Sequence, residues 1–325
     1  MEKLYLHKNW NKRGSALWIV SQMLRQHHNV SLVPYRRQKK GVLLIYNILP
    51  PNLPKGLKIV ALIGGFRLKD NGVARNIKWR RLAHVVFNSN FYRKICLSGF
   101  SIKKSSVIHI LGGAPADDQM LVPDESHIVL DINKHINFVV CAKWWKRSFK
   151  RLRQSIKLFN NFILPKYPNS TLRVLGSKFG KHKNNIIFHR KSFHNSTVAD
   201  VYRKSHIQLI LTPFDTGPLT LTESLHYKLP FICSTNCAGP EILELLDGKA
   251  GEVVTIDRTI KSIRMLKRYR PTTNKKHYDR ELNYKRILNS IDTIVDNYDE
   301  YIRWKWTNSF NYRTQSEKWM KVLFG

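Results

Sequence analysis

Short apolar runs alternate with amphipathic stretches along most of the chain. Runs at 4–6, 30–33, 42–46, 59–63, 84–88 and 107–111 have the length of buried strands rather than helices. Between them, Leu17, Val20 and Leu24 fall on one helical face over 16–25, and a second helical pattern covers 71–82. Ser89 stands where it can cap a helix reaching Leu97. The rhythm resumes at 138–142, 172–176, 186–189, 207–211, 231–233 and 253–256. The helices expected there cover 149–162, with a stripe of Leu152, Ile156 and Phe159, then 198–205, 241–246 and 260–268. Another starts at Gly217–Pro218 and is ended by Pro230, with Leu219, Leu221, Leu225 and Leu229 on its apolar face. The remainder, 278–324, reads as helices rich in Trp and Tyr. Strands alternating with helices predict an α/β protein built on mainly parallel sheet.

The polar segment 117–134, which contains Pro123, reads as a linker. The expected division is a short first domain over 1–122 and a second over 123–310. A chain of 325 residues suits two domains of ordinary size, and 42% hydrophobic residues can fill their cores. No apolar run approaches the ~20 residues that span a bilayer. The first residues lack the apolar centre of a secretory signal, so a cytoplasmic location is expected. Cys96, Cys141, Cys233 and Cys237 lack the number and spacing of a zinc site and read as reduced, partly buried thiols.

Charge changes the picture more. Lys and Arg number 56 against 22 Asp and Glu, a formal net charge of +34. That exceeds what solubility asks and implies a polyanionic neighbour: an anionic membrane surface, nucleic acid or a phosphorylated substrate. The basic residues run through the whole chain, not in a detachable tail.

Candidate chemistry concentrates in 209–241. A buried strand leads through a turn holding Asp215 into the helix that begins at Gly217 and Pro218. Free N–H groups of a first helical turn, near Thr216 to Leu219, can dock an anion or a row of hydroxyls. Asp215 sits at the mouth. Glu223, with seven residues between the two acids, lies two turns down the helix and can accept hydrogen bonds from hydroxyls. A second turn follows at 236–241, ending Gly239-Pro240-Glu241. Taken alone, the acid pair also fits a plain βαβ unit with solvated carboxylates.

The ordered set of strand, Gly-Pro helix start, acid, Leu229-Pro230-Phe231-Ile232 and Gly239-Pro240-Glu241 resembles the signature of retaining nucleotide-sugar glycosyltransferases of the GT-B fold, glycosyltransferase family 4. Asp215 replaces the family's first Glu, and Glu223 matches its second. Lys228 stands where the family has Gly before its Pro segment, and Thr216-Gly217 replaces Phe-Gly.

The resemblance implies two Rossmann-like domains facing a cleft, with 311–325 as a C-terminal helix returning to the first. It implies that the second domain holds a nucleotide-sugar donor and the first a saccharide or lipid-linked acceptor. Glu223 would take the ribose hydroxyls; Asp215 and the amides of Thr216, Gly217, Pro218 and Leu219 the sugar, with Pro218 lending only its position. Lys150 best fits the family's diphosphate-binding Lys, while Lys143, Lys146 and Arg147 compete for a second cationic position. The turn from Arg190 to Phe193 would pack near the base. No bound metal and no cofactor is implied, and no Asp-x-Asp metal motif is present. A fixed cation at a departing diphosphate stabilises the charge that develops there.

His189, His194 and His206 read as surface or core histidines rather than general bases. Two other classes remain open: a nucleic-acid-binding or DNA-glycosylating protein on this scaffold, and a scaffold without catalysis. The sequence shows no zinc finger, helix-turn-helix or RNA-recognition motif, which makes nucleic acid the less favoured partner. Peripheral association with the inner membrane face is also compatible with the charge.

Overall fold

The computed structural model describes residues 2–6, 16–36, 40–46, 55–63, 81–97, 101–109, 131–141, 152–176, 185–189, 195–212, 215, 219–256, 280–307 and 312–325. The chain divides into two compact units. One comprises Met1–Asp118, Ile260–Thr272 and Asn308–Gly325; the other comprises Gln119–Thr259 and Thr273–Thr307.

The first unit holds β1 (Lys3–Leu6), α1 (Ala16–His28), β2 (Ser31–Pro34), β3 (Gly41–Tyr46), β4 (Leu57–Ile63), β5 (His84–Phe87), α2 (Asn90–Leu97) and β6 (Ser105–Val107). Its strands form one parallel sheet in the order β2-β1-β3-β4-β5-β6. The second unit opens with β7 (Ile136–Cys141), followed by α3 (Leu152–Leu158), β8 (Ser170–Leu175), β9 (Ile186–His189), α4 (Asn195–Arg203), β10 (Ile207–Ile210) and α5 (Leu219–His226). It continues with β11 (Phe231–Ser234), α6 (Gly239–Leu243), β12 (Leu246–Asp247), β13 (Gly251–Val254), α7 (Arg280–Asp296), α8 (Tyr298–Ile302) and β14 (Lys305–Trp306). Its main sheet runs β13-β11-β10-β7-β8-β9, again parallel.

Strands buried on both faces need apolar residues at nearly every position. β4 and β7 meet that need, with Ile59 to Ile63 and Ile136 to Val140 all buried and Asn137 the one polar residue among them. On one side of the second sheet, Phe138, Val140, Ile207 and Leu209 share a core with Ile287, Ile291 and Ile294 of α7. In the first unit Ser89 caps α2 as expected, its Oγ accepting from the Tyr92 amide at 3.2 Å. The last helix, α9 (Tyr312–Phe324), returns to the first unit and packs on α1, with Trp319 and Leu323 fully buried. His28 on α1 meets the Ser316 hydroxyl at 2.8 Å.

Three expectations shift. The strand placed at 107–111 instead pairs over Ser105–Val107. Pairing starts at the two serines because Arg93 Nε donates to Ser105 Oγ at 3.0 Å and His84 meets Ser106 Oγ at 3.0 Å. The helix expected to stop at residue 162 runs on to Lys166 through a π turn, Phe159–Ile163, in which the Leu164 amide bonds back to the Phe159 carbonyl. The wider turn makes room for the Pro165 ring, which a regular helix would drive into the carbonyl four residues back. The antiparallel pair β12–β14 was not foreseen; two residues on each side are too few for periodicity to show. The helices expected at 71–82 and 260–268 lie outside the described residues, save 81 and 82.

Candidate functional site

In the second sheet the chain builds outward from β7 through β8 to β9, then crosses back to lay β10 against the other side of β7. Strand order therefore reverses between β7 and β10. In open parallel sheets, ligands bind beyond the carboxyl ends of the strands at such a switch point. A cavity of about 10 Å³, room for one water, lies there among Cys141, Leu152, Thr212 and Thr220.

Glu223 is brought to this edge by α5 and held by a buried tyrosine. Tyr202, on α4, is fully buried and donates to Glu223 Oε2 at 3.3 Å. The same hydroxyl meets Cys141 Sγ at 3.1 Å and lies 3.4 Å from the Thr220 carbonyl. A phenol has one proton. The carboxylate is the strongest acceptor in reach, so that proton serves Glu223 and the Cys141 thiol can donate to the phenol oxygen. Burial, then the neighbouring Cys141 and Glu223, push the Tyr202 hydroxyl well above its usual range and keep it a donor. The Glu223 carboxylate thus stands two hydrogen bonds from Cys141, the last residue of β7.

Asp215 is fixed through its backbone. It forms a parallel bridge to Cys237; its carbonyl accepts from the Ala238 amide at 3.1 Å, and its amide points to the Asn236 carbonyl at 3.4 Å. The end of β11 is tied down as well, with Ser234 Oγ donating to the Thr212 carbonyl at 2.6 Å. The two turns expected around Asp215 and at 236–241 are therefore one hydrogen-bonded unit.

Gly239 closes it. A Cβ there would lie 2.3 Å from Cys233 Sγ and 3.1 Å from Cys237 Sγ. Both sulfurs are buried, on a central strand and a tight turn, and neither can give way. All four cysteines are free. The hydrogen bond with Cys237, then burial, raises the Cys233 thiol well above its ordinary range, and burial pushes Cys96 up to about 12. Thiols held protonated in this way are inert. Gly239→Ala is expected to cost about 2 kcal/mol by overpacking, read as a fall in Tm of several degrees. Adding Cys233→Ala should restore part of the loss; simple additivity in that double-mutant cycle would exclude the contact.

Lys228 has φ +54°, the left-handed region. A glycine is at ease there, and a lysine adopts it at a cost of about 1–2 kcal/mol. Here its ammonium donates to the Trp304 carbonyl and sits 4.3 Å from the centre of the Trp304 ring. His206 is a core residue: its Nδ1 accepts from the Asn137 amide at 2.8 Å.

Of the residues singled out in the sequence, Asp215 and Glu223 are described, and Leu219 opens the described part of α5. Lys143, Arg147, Lys150, Arg190, Thr216, Gly217 and Pro218 lie outside the described residues, as do Lys146, His194 and the turn 190–193. Leu152, two residues after Lys150 in the chain, borders the same cavity as Thr220, three residues before Glu223. The sequence did not single out Tyr202 or the role of Cys141. Their partners lie 21 and 61 residues away, and nothing local marks them.

No protein-family model and no curated protein sequence matches the chain. Solved structures do. Sucrose-phosphate synthase from Thermosynechococcus elongatus superposes with a TM-score of 0.64 at 8% identity, over 100% of this chain and 95% of that one. The apo form of the lipopolysaccharide outer core galactosyltransferase WaaB gives 0.63 at 13% identity, over 100% and 99%. An E. coli trehalose-6-phosphate structure bound with UDP-2-fluoro glucose gives 0.60 at 9% identity, over 99% of each. The chain is similar to these along its whole length, and its fold is that of the GT-B glycosyltransferases.

Proposed function

We propose that this protein is a retaining glycosyltransferase that moves a hexose from a nucleotide-sugar donor to a hydroxyl of a saccharide or lipid-linked acceptor. Cell-surface polysaccharide or glycolipid synthesis is the setting that reading suggests. The observation that carries it is the Glu223 carboxylate, anchored through Tyr202 to the carboxyl end of β7 beside the switch point. A carboxylate held there is a bidentate acceptor for the two hydroxyls of a ribose.

The second unit binds the donor and the first unit the acceptor. Asp215 and the amides around Thr216 to Leu219 are assigned the transferred sugar, Lys150 and Arg147, with Lys143 as competitor, the diphosphate, and Arg190 the base. The leaving phosphate acts as base on the face from which it departs. That the likeness to WaaB and to a protein bound with a UDP-sugar analogue is global supports the donor class.

The test is a thermal-shift and transfer screen over common sugar nucleotides. A donor at about 100 times its Kd stabilises the binding unit by about 2.7 kcal/mol, enough to raise Tm by several degrees. No shift and no turnover with any of them would sink the reading. The reaction is expected to need no divalent metal, so EDTA should leave the transfer rate unchanged. Loss of activity in EDTA, restored by a metal ion, would overturn that part.

A further inference from the structure

β7 and β10 pair over a short stretch, Ile207 with Phe138 and Gln208 with Val139. Beyond that point β7 runs on to Cys141 against β8, and β10 runs on to Ile210 against β11. The two central strands of the second sheet therefore part at their carboxyl ends. The cavity at the switch point lies in this wedge, with Val140 and Cys141 on one side and Leu209 to Thr212 on the other. Gln208 borders it where the pairing ends.

Gln208 is the polar residue of β10; Ile207, Leu209 and Ile210 are apolar, and all four are buried. It is 0% exposed, and neither atom of its side-chain amide has a hydrogen-bond partner among the described residues. A buried amide without partners costs stability, and a methionine of the same unbranched shape would not. Such a group calls for an occupant that answers it. Paired residues of neighbouring strands project to one face, as do residues two apart on one strand. Gln208, Val139 and Cys141 thus share the face on which Tyr202 packs with Val139. The other polar side chains on the cavity wall besides Cys141 are Thr212, just past β10, and Thr220, in the first turn of α5. An amide and two hydroxyls around a space of one water's size match what a buried water asks, roughly two to four polar partners.

We propose that the wedge is a water site and that Gln208, through that water, is a positioning residue for Glu223. The route is short. The Tyr202 hydroxyl reaches Cys141 Sγ at 3.1 Å, the Thr220 carbonyl at 3.4 Å and Glu223 Oε2 at 3.3 Å. Two of these three partners, Cys141 and Thr220, are walls of the cavity. A water held by Gln208 and Thr220 fixes the spacing between the end of β7 and the start of α5. It thereby fixes the phenol that aims the carboxylate. The effect on donor binding rests on the role proposed for Glu223; the water site itself does not.

The experiment follows alkylation of the cysteines by iodoacetamide in the full chain, peptide by peptide in a mass spectrometer, beside Tm and a titration with UDP. Cys141 is half-buried, while Cys96, Cys233 and Cys237 are buried and report opening of the whole fold. Gln208→Met is expected to keep or raise Tm, since it exchanges a buried amide for an apolar side chain of the same shape. It should nevertheless speed alkylation of Cys141 and weaken UDP binding, each by about fivefold, the worth of one hydrogen bond. The other three thiols should keep their wild-type rates. Thr220→Val takes a hydroxyl from the cavity wall and keeps its shape. It should act the same way more weakly, and it decides the matter if Gln208→Met does not fold. In a Tyr202→Phe background, Gln208→Met should weaken UDP binding no further, because the water acts through that hydroxyl. Wild-type alkylation of Cys141 in both variants overturns the proposal. So does an equal rise at all the thiols, which marks loosening of the whole fold, and so does electron density showing the cavity dry. A wild type that ignores UDP, with Cys141 faster in Gln208→Met, counts against the transferase reading alone and upholds the water site.

Discussion

Glu223→Gln is expected to lower kcat/KM for the nucleotide-sugar donor by about 100-fold or more. Hydrogen bonds to a charged group are worth ~1.5–3 kcal/mol each, and the proposed role gives this carboxylate two of them. The exchange keeps shape and removes charge, so folding should survive, with Tm within about 2 °C of the wild type. Tyr202→Phe separates position from chemistry. It removes the donor that orients Oε2 and leaves the carboxylate in place. Its expected cost is about five- to tenfold, mainly in KM for the donor, because a carboxylate free to rotate still binds ribose part of the time. The two variants combined should be no worse than Glu223→Gln alone, since Tyr202 acts through Glu223. A Glu223→Gln enzyme with wild-type kcat/KM would remove Glu223 from the site. Independent, additive losses would remove only the link to Tyr202.

The elements behind that prediction were legible to different degrees. Strands such as β4, β7 and β10 stood out because burial on both faces demands mostly apolar runs, with Asn137 and Gln208 as buried polar exceptions. The helix carrying Glu223 was legible from its Leu spacing and its Pro boundary. Less visible was everything that depends on partners far along the chain. Tyr202 sits in an ordinary amphipathic helix, and only tertiary contact gives its hydroxyl a task. The same holds for Lys228: the residue type reads as a departure from a glycine pattern, while its +54° φ keeps the backbone shape that the glycine would serve. Composition also misled in one respect. Counting Lys and Arg shows an even spread; it is the near absence of acids that sets one unit apart. β6 was misplaced because apolar weight pointed to 107–111, whereas the ladder begins at serines held by Arg93 and His84.

Lys150→Ala is expected to lower kcat by about 100- to 1000-fold, the loss typical of removing one group aimed at charge developing in a transition state. Breaking the bond between sugar and diphosphate leaves a charge on the departing oxygen that the ground state lacks. A cation fixed beside it lowers the barrier more than it tightens binding, so kcat should fall further than KM rises. In a chain with 56 basic residues the competing account is that no single lysine matters. The series that decides is Lys143→Ala, Arg147→Ala, Lys150→Ala and Lys157→Ala, measured by turnover at saturating donor. Lys157 is exposed on α3, and its loss should change kcat less than about twofold. Arg147→Ala or Lys143→Ala, whichever supplies the second cation, should cost about tenfold and mainly through KM. Substituting Lys150→Arg should recover only part of the rate, because a planar fork does not reproduce a compact ammonium at one oxygen. Four variants with similar small losses would mean diffuse attraction of an anion. That result would dissolve the link between the segment after β7 and the chemistry at Glu223.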